Sequence, residues 1–514
     1  MSWIQRVGKY SNYVAKNYNL YHLFNREYLD CEINNFIKNP PMIKTVVNGN
    51  EINGYRPIKV YSPCNGRPHI FTYSPLSSEK IDIPHCNRWE NTSPEEKFDV
   101  FHKVADLLES KYYYKMMAAT MIGQGKNTYE AEIDCIGELV DFLRFNVQYA
   151  KEIYQKQPVS TEKNVINYSQ YLPLQGNTVA ITPFNFTAIA GNLATVPLLF
   201  GNNVIWKPSE KSLLSNWLFF QICMEAGIPK ENLHFMVNDP YQFSRNYVDE
   251  NMGGLLFTGS THVLKDIINK VDYSKNFPRI IGETGGKNFH FIEQSANLEN
   301  AVQKTFESAF NYSGQKCSAC SIVYVPSVMY EDFVKKMKMY RRIFNYENYG
   351  VICRESFYKT VEVIENSKSL LSGVDLVMGG NSSVENSFFI EPTMFVSNSN
   401  KISEVESKEM FAPVLLIKKY DPSKIDNAVE ECINTSDYKL TGAIFSEDPK
   451  QISYLCDKFK MKTGNVYLND KSTGAVVGQQ PFGGSGMSGT NDKAGDINLL
   501  YRLFNQRSIK HNLN

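Results

Sequence analysis

An excess of charge of either sign is missing from this sequence. Its 514 residues carry 54 Lys+Arg against 54 Asp+Glu, a formal net charge of +0 at pH 7. The broad cationic surface that a nucleic-acid partner needs is therefore not expected. Long apolar runs are missing too, since none reaches the roughly 18 residues of a membrane span. Metal-ligand spacing is absent: Cys317 and Cys320 form the one C-x-x-C, and no second such pair or spaced His pair completes a zinc site. The 10 cysteines are otherwise scattered, which reads as reduced thiols rather than a disulfide framework. No G-x-G-x-x-G follows a predicted strand, so an ordinary Rossmann phosphate loop is excluded. Gly123-Gln124-Gly125-Lys126 lacks the context of a P-loop and reads as a helix-breaking loop. There are no tandem repeats.

What is present is an ordinary globular balance, with 42% hydrophobic and 21% charged residues. The length allows roughly three to four domain-sized units. Residues 1–26 carry Arg6, Lys9, Lys16 and Arg26 with no acid before Glu27, among Trp3, Ile4, Val7, Tyr10 and Val14. That suits an amphipathic presequence for the mitochondrial matrix, or a basic surface helix of a cytoplasmic protein.

Ser93-Pro94-Glu95-Glu96 is a capping box with Pro at the first helical position. Phe98, Phe101, Val104, Ala105 and Leu108 follow at helical spacing. A second helical stretch runs from about Tyr129 to Tyr149, and residues 156–173 read as a protruding hairpin. From residue 178 short apolar strands alternate with amphipathic helices. Strands are predicted at 178–181, 203–206, 234–237 and 254–257, with helices at 212–226, ended by Gly227, and 261–271. Such alternation implies a parallel, doubly wound sheet. Residues 288–445 repeat the texture and predict a second such unit.

Three short segments carry chemistry. Gly314-Gln315-Lys316-Cys317-Ser318-Ala319-Cys320 sets a thiol beside a lysine in a turn of small residues; a cationic neighbour and backbone donors lower a thiol pKa. Alone, it is also compatible with an inert core cysteine or a redox pair. Gly282-Glu283-Thr284-Gly285-Gly286-Lys287 puts a carboxylate between a strand and two glycines, where nothing bulky blocks approach. Thr182-Pro183-Phe184-Asn185-Phe186-Thr187 puts an amide at a strand end, where it can donate to an oxyanion. A solvated turn acid and a structural Asn are the plain alternatives for these two.

Taken together, thiol, carboxylate and amide are what an acyl-enzyme route from aldehyde to acid requires. Here the chain resembles the aldehyde dehydrogenase superfamily, from about residue 40 to 507. PFNFTAI (183–189), GETGGKNFHF (282–291), GQKCSAC (314–320), NDKSTGAVVGQQPFGG (469–484) and SGTNDKAG (488–495) resemble its pyrroline-5-carboxylate (glutamate-semialdehyde) dehydrogenase branch. The resemblance implies an α/β fold of two doubly wound domains and a small β oligomerisation flap. The NAD-binding domain would span 1–155 and 174–282, the catalytic domain 283–484, and the flap 156–173 and 485–514.

It further implies oxidation of L-glutamate γ-semialdehyde to L-glutamate with NAD, in proline catabolism, by a homodimer or larger homo-oligomer. Cys317 resembles the nucleophile, Asn185 the oxyanion donor, and Glu283 the activator of hydrolytic water. Lys207, Ser209 and Glu210 resemble the grip on the adenosine ribose; an acid near a free 2′-hydroxyl repels a phosphate, so NAD is favoured over NADP. Gly259 and Ser260 would meet the pyrophosphate at a helix N-terminus. Glu409 and Phe411 would hold the nicotinamide ribose and ring; the family usually has Gly where Ala412 stands, and a methyl there needs a negative φ. Phe186 and Phe482 would sandwich the substrate's aliphatic part. Ser318 and the Ser472-Thr473-Gly474-Ala475 loop would anchor its α-carboxylate and amine, with Ala475 standing where the branch usually has Ser. Glu138 matches a family acid near the site and equally reads as a buried helix acid with a partner, outside the catalytic set. The rival readings are a dehydrogenase of another carboxylated semialdehyde, an inactive binding or structural member, and a thiol–disulfide oxidoreductase built on Cys317 and Cys320.

Overall fold

The computed structural model describes residues 25–64, 66–76, 80–83, 89–369, 372–398 and 402–514. The presequence reading falls, but for its last two residues, outside that set. No helix among the described residues is long and apolar enough to cross a membrane.

Two seven-stranded sheets organise the chain. In the first, Arg279–Glu283, Met252–Thr258, Asn177–Ile181, Val204–Lys207 and Leu233–Phe235 lie side by side and parallel. Thr45–Val47 and Asn50–Ile52 extend it antiparallel. Chain order reverses between Asn177–Ile181 and Met252–Thr258, which places a crevice at the carboxyl ends of those strands. The second sheet runs Val374–Met378, Thr393–Ser397, Val414–Tyr420, Cys320–Pro326, Asn288–Ile292, Thr441–Phe445, Asn465–Leu468, and only Val374–Met378 is antiparallel. The central strand Val204–Lys207 is buried throughout, as a parallel strand covered on both faces must be. Its Trp206 packs against Phe219 and Phe235.

The predicted elements appear with small shifts. Helix Pro94–Glu109 starts on the Ser93 capping box and buries the five apolar residues read from spacing. Each of the Phe, Val and Leu side chains among them contributes about 1.5–3 kcal/mol, and the cap about 1 kcal/mol. Helix Leu213–Ala226 ends on Gly227, whose φ of 113° suits glycine. The 261–271 helix stops at Ile268. The long stretch around Tyr129–Tyr149 comprises helix Thr128–Glu132, a π-helical turn Ile133–Glu138 and helix Leu139–Gln155.

Two readings are corrected. Helix Tyr113–Gln124 runs through Gly123 and breaks only at Gly125, at φ 75°. Residues 156–173 do not form a hairpin of their own. Their one strand, Val165–Leu172, pairs antiparallel with Asn505–Asn512 from the far end of the chain. A single apolar run flanked by the polar 155–164 has no second strand to turn into. The partner arrives from elsewhere.

Candidate active site

The site lies where the carboxyl edge of the first sheet meets the amino edge of the second. Strand Arg279–Glu283 ends the first sheet with an acid, and Asn288–Ile292 opens the second. Between Phe310 and strand Cys320–Pro326, Tyr312, Ser313 and Gly314 take φ values of 53°, 52° and 68° in succession. Left-handed backbone at two non-glycine residues costs energy and is typical of functional turns. A Cβ at Gly314 would overlap the Ala412 carbonyl. Asn288 fastens the turn: its amide donates to the carbonyls of Cys317 at 2.7 Å and Ala319 at 2.9 Å and accepts from the Thr441 N–H at 3.1 Å.

Cys317 is half-buried, and burial, then Glu409 and Glu283, push its thiol up to about 12. The backbone N–H groups of Ser318 and Cys317 act the other way. The expectation that Lys316 lowers this pKa is therefore corrected. Lys316 lines the adjoining cavity among Glu130, Lys126, Lys471 and Glu138, and burial with Glu409 and Glu283 outweighs any lowering of the thiol. Cys320 is a buried free thiol directed at the Ile322 carbonyl, 3.4 Å away.

The Glu283 carboxyl is held well above the carboxylate range, first by burial and then by Asp492. One oxygen accepts from the Gly484 N–H at 3.3 Å; the other is buried without a hydrogen-bond partner among the described residues. Its strand is braced by the 488–495 motif. Thr490 and Gly282 exchange hydrogen bonds of 2.8 Å, and Glu283 bridges Gly489. Asn185 is buried beyond strand Asn177–Ile181 and donates to the Gln315 carbonyl at 3.0 Å. An amide has two N–H bonds, so one fixes it against the cysteine turn and the second is left uncommitted among the described residues.

A buried ion pair sets the position of Asn185 and Phe186. Asp134 accepts from the N–H groups of Thr187 and Ala188, each at 2.9 Å, and from Lys126 at 2.6 Å. The Lys126 ammonium lies 4.2 Å from the centre of the Phe186 ring and 4.8 Å from that of Tyr312. Asp134→Ala leaves the lysine charge buried and unpaired. It is expected to destabilise the protein by about 3–5 kcal/mol, read as a lower denaturant midpoint, with Lys126→Met in the same chain recovering much of the loss.

Lys207, at the end of its strand, bonds Glu210 at 2.7 Å and the Pro208 carbonyl at 3.2 Å. Ser209 caps the turn that follows. On the same carboxyl edge, Gly259 donates to the Glu283 carbonyl at 3.2 Å. Ser260 is the N-cap of helix Thr261–Ile268, and its hydroxyl makes no capping bond. Glu409 accepts from the Gly286 N–H at 3.0 Å and is pushed up to about 7 by burial. A Cβ at Gly285 would overlap its carboxylate, which explains that glycine. Phe411 takes a φ of 50° and sets its ring 5.8 Å from Phe184. Ala412 is not among the left-handed residues, so its methyl is accommodated without backbone strain.

A cavity of about 550 Å³ flanks the cysteine turn and brings together Phe186, Ser318, Gly474, Ala475, Lys316 and Glu138. Phe482 is not part of that lining; its backbone pairs with Ala494. Sequence reading placed Ser472 in the anchor loop but missed that Ser472, with His290 behind it, connects this cavity to the thiol. The Ser472 hydroxyl bonds the Ser318 carbonyl at 3.0 Å and Ser308 at 2.9 Å, and the His290 ring lies 3.2 Å away. Burial takes His290 down to about 3, so it acts as a neutral strut. Asn288, His290 and Ser472 all lie inside quoted motifs, which was the available signal. A larger cavity of about 620 Å³, beside Gly176, Tyr247 and Asn251, holds none of these groups.

Residues 83–509 match the aldehyde dehydrogenase family. The chain belongs to that family. Among aldehyde dehydrogenases it is similar to the mitochondrial delta-1-pyrroline-5-carboxylate dehydrogenase of Dictyostelium discoideum, 43% identical over 83% of this chain and 78% of the other. It is also similar to the Emericella nidulans enzyme of the same name, 39% identical over 92% and 86%. The fold matches the crystal structure of the Mycobacterium tuberculosis delta-pyrroline-5-carboxylate dehydrogenase bound with NAD. The TM-score is 0.90 at 32% identity, covering 100% of this chain and 98% of that one.

Proposed function

We propose that the protein oxidises L-glutamate γ-semialdehyde to L-glutamate with NAD, as a step of proline catabolism. The observation that carries the reading is the cavity beside Cys317, lined by Ser318 and by the Gly474–Ala475 turn, a glycine turn of the kind whose N–H groups receive a carboxylate. The relatives' names support the same substrate. Cys317 gives up its thiol proton to solvent and adds as the thiolate to the aldehyde carbon, whose C=O π electrons pass to oxygen, and the second N–H of Asn185 with the Cys317 N–H steadies that oxyanion. NAD, when bound, serves as the two-electron acceptor that leaves a thioester on Cys317. Glu283 then takes a proton from the water that releases the acid.

The residues fit a dinucleotide. Ser260 offers an uncommitted hydroxyl at a helix N-terminus, the place for a pyrophosphate. Lys207, Ser209 and Glu210 stand at the neighbouring strand end for the adenosine ribose, and Glu210 disfavours a 2′-phosphate. Glu409 and Phe411 approach from the second sheet for the nicotinamide end. Phe482 stays assigned to the substrate's aliphatic part on the resemblance alone. A screen of aldehydes with NAD and NADP tests the reading. Glutamate semialdehyde with NAD should give the highest kcat/KM, and preference for another carboxylated semialdehyde would replace the substrate.

Glu283→Gln is expected to separate the half-reactions. A first turnover of NADH should appear in a rapid-mixing trace, after which the thioester persists and is seen as an adduct on Cys317 by mass spectrometry. A variant with neither burst nor adduct would place Glu283 at an earlier step.

The proposed division is a cofactor domain at 1–155 and 174–282, a catalytic domain at 283–484, and a flap at 156–173 and 485–514. The break between the sheets, from Glu283 to Asn288, supports it. So does the ribbon of Val165–Leu172 with Asn505–Asn512. Two strands alone are marginal in water and leave both edges open, which supports a homodimer or larger assembly, checked by sedimentation. The mitochondrial matrix is the proposed compartment, supported by the mitochondrial relatives and tested by imaging a fluorescent fusion.

A further inference from the structure

The relatives are named for pyrroline-5-carboxylate, a cyclic imine. Its ring carbon is tied up in a C=N bond and offers Cys317 no aldehyde, so water must open the ring first. We propose that Glu138 carries the protons of that ring opening inside the cavity, so that the enzyme releases its own aldehyde from the closed form. The inference rests on the substrate reading above.

Glu138 ends the π-helical turn Ile133–Glu138 and lines the cavity together with Phe186 and Ala475. Single π turns inside helices occur often at functional sites. The side-chain partner expected for a helix acid is not there, and Glu138 is half-buried at the cavity wall. The Glu138 carboxyl makes no hydrogen bond or ion pair among the described residues, though the charges of Lys126 and Lys316 act on it, whereas neighbouring Asp134 is committed to Lys126 and two N–H groups. None of the thiol chemistry uses it. Burial, with Asp134 and Asp141, pushes its carboxyl up to about 8, while Lys126 and Lys316 pull the other way. An acid that shares its proton near neutral pH is suited to both accept and donate.

The steps balance without any oxidant. Water adds to the carbon of the protonated imine, and its first proton passes to the Glu138 carboxylate. The C=N π electrons settle on nitrogen. Glu138 returns that proton to nitrogen and accepts the second one from the new hydroxyl. The C–N bond breaks with its electron pair going to nitrogen, and the carbonyl forms. The second proton then reaches the amine. One cyclic imine and one water give one amino aldehyde, the form Cys317 attacks.

The test is single-turnover NADH formation with enzyme in excess and saturating NAD. Two substrates are used: 1-pyrroline-5-carboxylate and glutarate semialdehyde, an open analogue that lacks the amine and cannot form the imine. The opening rate in buffer is measured separately by trapping the free aldehyde with hydroxylamine. The enzyme should convert the cyclic substrate about 10²-fold faster than buffer opens it. Glu138→Gln should fall to the buffer rate with the ring and lose about 10²-fold in the ratio of cyclic to open substrate, and Glu138→Asp should restore part of that ratio. A wild-type rate that levels off at the buffer rate overturns the proposal. So does a Glu138→Gln loss of equal size on both substrates, or a Glu138→Asp ratio no better than that of Gln. If the wild type oxidises neither substrate, the semialdehyde reading itself fails, and the ring-opening step falls with it.

Discussion

Cys317→Ala is expected to abolish aldehyde oxidation while NAD binding persists. The proposed cofactor contacts of Lys207, Ser260 and Glu409 do not use the sulfur, so titration by fluorescence should return a Kd close to that of the parent. The chemistry has no substitute nucleophile: Cys320 is buried and turned toward a strand carbonyl. Residual NADH formation above roughly one part in a thousand would remove Cys317 from the mechanism. The parent enzyme should also show a sloping pH profile. Burial and two carboxylates hold the thiol at about 12, and Glu283 must be deprotonated to act as a base. Both demands favour higher pH, so kcat/KM should rise through the neutral range and fall away in acid. A flat profile would mean that neither group limits the rate.

Glutamate semialdehyde should outrun butyraldehyde by about 10⁴-fold in kcat/KM. A site that satisfies a carboxylate with N–H groups leaves those donors unpaired when the carboxylate is missing, and discrimination of that order follows. At one side of the cavity the Ser472 hydroxyl, itself within 3.2 Å of the His290 ring, fixes the Ser318 carbonyl. Ala475→Ser adds one hydrogen bond to a charged group, about 1.5–3 kcal/mol. KM for the semialdehyde should drop about 10- to 100-fold, with little change for plain aldehydes, because uniform binding alters KM before kcat. Equal efficiency on both aldehydes would show that the turn anchors nothing. A response shared by all aldehydes would assign Ala475 to folding or cofactor geometry.

The thiol, the acid and the amide were legible in the sequence because the reaction dictates their chemical types and each stands in a small-residue turn at a strand end. Helix starts such as Ser93 were legible because a capping box is a local device. What escaped was non-local. The resemblance grouped 156–173 with 485–514 in one flap, but nothing within 156–173 itself shows that its one strand pairs with Asn505–Asn512 rather than folding back as a hairpin. The thiol's electrostatics escaped for the same reason. Lys316 is adjacent in sequence but faces the substrate cavity, whereas Glu409, distant in sequence, lies close enough to raise the thiol pKa. Asn288 and Ser472 were inside recognised motifs, yet their roles are hydrogen bonds between segments far apart. The π turn that ends on Glu138 leaves no periodicity signal.

The bracing of Gly282 and Glu283 by Gly484, Gly489 and Thr490 also bears on how the protein is made. The strand that carries the acid emerges from the ribosome some two hundred residues before the segment that fixes it. The thiol follows the acid by only a few dozen residues, but its turn waits for Thr441 to close the Asn288 bond. A nascent chain can therefore complete much of the first sheet and display the cofactor edge while its reactive groups are still unplaced. Catalytic competence arrives in the final stretch of synthesis, and a chain that stops early carries every reacting atom in a site that has not been assembled.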